Sequence, residues 1–86
     1  MILESIRKLI LSGDVRISEH GYEELAEDDL SVVELLDSFE NAKIVEEYPN
    51  FPKGKCILLL QHDKHGSPVH TLWGIPNGFS RPAVLI

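Results

Sequence analysis

The sequence is sparing with the residue types that most often announce a chemistry. A single cysteine, Cys56, excludes an internal disulfide and every Cys-x-x-Cys metal or redox motif. There is no glycine-rich phosphate loop, zinc-finger spacing or Ser–His–Asp pattern, so no cofactor and no bound metal are expected. The apolar runs fall far short of a bilayer span, and no charged-then-apolar leader opens the chain. A cytoplasmic protein without membrane contact is therefore expected. A basic excess is lacking as well. Eight Lys and Arg against fourteen Asp and Glu give a net charge of −6, unlike a strongly basic nucleic-acid binder.

What is present suits one globular domain over residues 1–86, large enough for a modest core and too small for two. The charge is unevenly spread. Residues 1–42 hold eleven acids and three bases, whereas residues 43–86 hold three acids, five bases and three of the four histidines. Solvated helix faces rich in Glu account for most of this contrast. An anionic partner is expected on the basic half.

Ile2, Leu3, Ile6, Leu9 and Ile10 recur at helical spacing, and Gly13 suits the position after a helix end, so a first helix is predicted over about 2–11. Asp14–Ile17 reads as a connector or a short extended piece. Ser18 is a candidate N-cap for a second helix that carries His20 and frays near Glu27–Asp29. Ser31 and Glu34 form a capping-box pattern for a third helix ending near Asn41. Lys43–Tyr48 is the first predicted strand, followed by a proline-bearing loop over 49–54.

The stretch from Lys55 to Pro76 reads as a β-hairpin. Cys56–Leu60 is an apolar run that suits a strand buried on both faces. Asp63–Gly66 supplies the turn, and Val69–Ile75 alternates, with Val69, Thr71, Trp73 and Ile75 facing one way and His70 and Leu72 the other. Ala83–Ile86 is a last short strand. Helices come first and strands after, so the fold class is α+β: two to three N-terminal helices packed on a small antiparallel sheet.

Four histidines invite a metal reading. His62 and His65 flank the hairpin tip, but a zinc site needs three or four ligands, and solvated turn residues explain this pair. His20 and His70 are the stronger pair. Two imidazoles can act as base and acid near neutral pH, although His70 filling a sheet–helix interface explains it as well. Lys55 and Arg81 flank strands and Lys53 lies in the preceding loop, which makes the three of them candidate phosphate contacts. Tyr48, Phe51 and Trp73 are candidates for stacking on bases.

Three segments carry a resemblance: Ile17-Ser18-Glu19-His20-Gly21-Tyr22, then Glu46-Glu47-Tyr48-Pro49, then Val69-His70-Thr71-Leu72-Trp73-Gly74. In this order they resemble the bacterial DUF4258 type from about Ile17 to Ile86. That type is similar to the RelE, BrnT and MqsR toxins, small RNases with helices packed on an antiparallel sheet. The resemblance implies an mRNA interferase held inactive by a small zinc-finger antitoxin, with His20 and His70 as motif histidines and Tyr48 as the strand-end tyrosine. The type continues past the position of Ile86 into a Thr-x-Tyr segment that this sequence does not include.

Two functions are carried forward. One is a metal-independent endoribonuclease in which His20 and His70 move protons and Lys55 or Arg81 holds the phosphoryl oxygens. The other is a non-catalytic module of the same fold that binds a partner protein or forms a homodimer through its last strand.

Overall fold

The computed structural model describes residues 2–86. Three helices precede and interleave with a five-stranded sheet: α1 (Ile2–Leu11), β1 (Val15–Ile17), α2 (Glu19–Glu27), α3 (Val32–Asp37), β2 (Lys43–Tyr48), β3 (Cys56–His62), β4 (Pro68–Gly74) and β5 (Ala83–Leu85). The expected α+β class and N-terminal helices are found. The third helix stops at Asp37, and the residues up to Asn41 tighten into a 3₁₀ turn.

The sheet order is β1-β5-β4-β3-β2. It is mixed, rather than antiparallel throughout: β1 runs parallel to β5, in the register Val15↔Ala83 and Ile17↔Leu85. The stretch 14–17, expected as a connector or a short extended piece, is extended: Val15–Ile17 is a strand that covers the outer side of the last strand, where unpaired backbone would otherwise stand open. The hairpin forms as predicted, with Ile57 opposite Trp73 and Leu60 opposite His70.

Local signals explain the helix ends. Gly13, at φ +76°, closes α1 with Asp14 N–H donating to Leu9 O and Gly13 N–H to Ile10 O, the two bonds of a Schellman motif. Asp29 adopts the same left-handed conformation, φ 52°, after α2, and Leu30 N–H donates to Leu25 O. Ser31 accepts the Glu34 N–H at 3.1 Å and starts α3.

The core lies between the helices and one sheet face. Ile6, Leu35 and Phe39 meet Ile57, Leu59 and Trp73, all buried, and the Phe39 and Trp73 rings cross edge-to-face at 6.0 Å. Burying each such side chain contributes about 1.5–3 kcal/mol. Strand β3 is not buried on both faces: Ile57, Leu59 and Gln61 are enclosed, but Leu58 and Leu60 on the other face are only half-buried.

Gln61 is the polar centre of this core. Its Nε2 donates to Leu35 O (2.8 Å) and Ser38 Oγ (2.9 Å), and its Oε1 accepts from Thr71 Oγ1 and from Trp73 Nε1 (3.0 Å). Both donors and both acceptor positions of the amide are used, so burial leaves nothing stranded.

Candidate functional site

His20 is placed by the start of α2. Ser18 caps the helix by accepting the Gly21 N–H at 2.9 Å, and Ser18 N–H donates to Leu85 O at 2.9 Å, which fastens the helix start to the end of β5. Gly21 permits this approach. A Cβ there would stand 3.1 Å from Leu85 O and 3.2 Å from Ile17 Cγ2, tighter than ordinary packing.

His70 is placed by strand alternation. Thr71 and Trp73 turn into the core, so His70 points away from it and is exposed. Strand β5 pairs β4 only at Trp73 and Gly74, with Ile86 N–H donating to Leu72 O. Among the described residues no strand pairs the Pro68–Thr71 edge on that side, and α2 lies there instead.

Between this edge and α2 is an open groove of about 330 Å³, and both His20 and His70 line it. Its floor is apolar, from Leu25, Leu58 and Leu85, and its rim carries Glu24 and Asp28. Glu24 Oε1 stands 3.6 Å from His20 Nε2, one helical turn away. No Lys or Arg lines the groove.

The expected phosphate contacts lie elsewhere. Arg81, at the opposite end of β5 from the groove, makes a two-bond pair with Asp14, Nε at 2.5 Å and a terminal nitrogen at 2.9 Å. That hydrogen bonding holds the Asp14 carboxyl below its usual range and raises the guanidinium above its own. Lys53 and Lys55 sit in the loop before β3, where the backbone meets residues 75–77. Tyr48 ends β2, and its hydroxyl donates to Glu46 Oε2 at 2.9 Å, which raises the phenol's pKa and makes it a weaker proton donor.

The remaining candidates sort readily. Trp73 is enclosed and cannot stack on a base, whereas Phe51 is open. Cys56 is buried, and desolvation pushes its thiol pKa up, so it is the core residue its strand position suggested. His62 and His65 belong to the hairpin tip, and no group of three His, Cys, Asp or Glu side chains arranged to hold a metal occurs among the described residues. Glu24 and Asp28 were not singled out from sequence. The i, i+4 spacing of His20 and Glu24 was the available signal.

Residues 17–86 match a family model described as a domain of unknown function, DUF4258. No curated protein and no solved structure matches the chain.

Proposed function

The chain belongs to the DUF4258 family, and from that premise we propose that it is a toxin-like, metal-independent endoribonuclease whose proton-transfer residues are His20 and His70. The observation that carries this reading is that both imidazoles line one open groove. RNA supplies its own nucleophile. Its 2′-oxygen attacks the adjacent phosphorus while neutral His70 takes the hydroxyl proton. The bond from phosphorus to the 5′-oxygen breaks, and protonated His20, with Glu24 as its counter-charge, returns a proton to that oxygen. The products are a 2′,3′-cyclic phosphate and a 5′-hydroxyl end. A small zinc-finger antitoxin covering the groove would hold the activity off, as the resemblance to RelE- and BrnT-type toxins implies.

The test is cleavage of a fluorescent single-stranded RNA by the purified protein. His20→Ala and His70→Ala are each expected to slow cleavage by about 10²–10⁴-fold, with unchanged thermal melting, because both side chains are solvent-exposed. Cleavage at the wild-type rate in both variants rules the reading out.

One observation favours a second reading. Glu24 and Asp28 rim a groove that no Lys or Arg lines, and the open β4 edge offers main-chain hydrogen bonds to an extended segment. A non-catalytic module gripping a basic peptide of a partner protein fits those features. A stable complex with such a partner, with RNA left intact by the isolated protein, selects it.

A further inference from the structure

The acid-rimmed groove is a poor place to hold a phosphate backbone, but the surface beside it is different. Phe51 is 43% exposed and Phe79 71% exposed, unusual for phenylalanine in a chain this small. Both line one hollow of about 430 Å³, which Lys55 also lines. A second hollow of about 320 Å³ begins at Phe51 and Lys53 and runs over Gly74 and Val84 to Ile86. No Asp or Glu side chain lines either hollow, although the molecule as a whole carries −6. Neither lysine has an ion-pair partner among the described residues. Ile86 also lines the histidine groove and Phe51 lines both hollows, so shared residues link the three into a track.

This track is held in place. Lys55 O accepts the Ile75 N–H at 3.1 Å, Lys53 O accepts the Asn77 N–H at 3.0 Å, and Gly54 N–H donates to Phe51 O at 3.0 Å. Gly54 sits at φ +139°, and a Cβ there would come within 2.1 Å of Ile75 O. Only glycine allows the loop to lie this close, so the backbone that carries Phe51, Lys53 and Lys55 is held in place before any ligand arrives.

We infer that Phe51, Phe79, Lys53 and Lys55 form a platform for single-stranded RNA that leads the strand into the histidine groove. The inference rests on the ribonuclease reading for the destination of the strand, but not for the platform itself. Exposed aromatic faces stack on unpaired bases, and the lysines meet the phosphates between them. A duplex keeps its bases stacked on one another and cannot use the phenylalanines. A second copy of this chain is the weaker occupant, because the cores of protein–protein contacts are depleted in lysine and Lys55 lines the same hollow as the two rings.

The experiment is fluorescence anisotropy of a labelled ten-nucleotide single-stranded RNA at low salt, beside the same sequence in a duplex, with the cleavage assay run in parallel. Wild type should bind the single strand well and the duplex weakly. Phe79→Ala should weaken single-strand binding about 5- to 150-fold, the equivalent of roughly 1–3 kcal/mol per stacked base, and Lys55→Glu should weaken it further. If His-dependent cleavage is found while Phe79→Ala and Lys55→Glu bind as wild type, the platform is overturned and the nuclease reading stands. If Phe79-dependent binding is found without cleavage, the platform stands and the nuclease reading falls. Equal affinity for duplex and single strand overturns the platform. So does a sedimentation result in which Phe79→Ala dissociates a dimer and leaves RNA binding untouched.

Discussion

At the scale of single residues, Gln61 does more for the fold than its composition class suggests. It joins α3 and the following 3₁₀ turn to β3 and β4 through four hydrogen bonds. Gln61→Leu keeps a similar volume and removes the amide, stranding the Trp73 Nε1–H and the Thr71 hydroxyl, while the Leu35 carbonyl keeps its bond from the Ser38 hydroxyl. Each buried group left unpaired costs about 1–3 kcal/mol, so a total loss of roughly 2 kcal/mol or more is expected. Urea titration reads it as a lower midpoint at an unchanged slope. A variant within about 0.5 kcal/mol of wild type, the usual range for surface changes, would mean that the network contributes little. From sequence Gln61 gave no signal, because an amide at the end of an apolar run looks like a strand terminus. Only the packing of α3 over it makes it a core residue.

Among the elements, the β3–β4 hairpin was the most legible. Alternation from Val69 to Ile75 sets which side chains enter the core, and Asp63 and Gly66 give the turn. Asp63 Oδ1 accepts the Ser67 N–H (2.9 Å) and the His65 N–H (2.8 Å), and these bonds hold its pKa below the ordinary aspartate value. A carboxyl depressed in the fold stabilises it above the unfolded pKa, and that contribution fades as pH falls through the folded one. The melting-temperature gap between wild type and Asp63→Ala should therefore be full at pH 7 and close below about pH 4. A gap undiminished at pH 2 would contradict this. Less legible was β1. Val15-Arg16-Ile17 is too short to show a period, and only its parallel pairing with Ala83–Leu85 makes it a strand. The site divided in the same way. Alternation turned His70 outward and capping placed His20 at a helix start, both local rules. That Arg81 would be taken by Asp14, 67 positions away in sequence, followed from no local rule at all.

For the whole molecule, the separation of charge is the governing fact. The acids sit largely on the helical half, and of the five bases in residues 43–86, Arg81 and Lys64 are paired with Asp14 and Glu34. Lys43 lies on β2 away from both hollows, and Lys53 and Lys55 line them. An RNA strand on the platform thus meets two lysines. Single-strand binding loses about 0.7 in log K per log salt for each phosphate contact. A slope near −1.4 is therefore expected from anisotropy titrations across salt, with base stacking supplying the salt-insensitive remainder. A slope steeper than about −4 would require cations that this track does not have. The hydrogen bond from Ser18 to the carbonyl of Leu85 has a mechanical consequence. It tethers the helix that bears one imidazole to the strand that runs on to Ile86, the residue shared by groove and platform. A molecule that shifted that strand would have to break this bond or carry the start of α2 along with it.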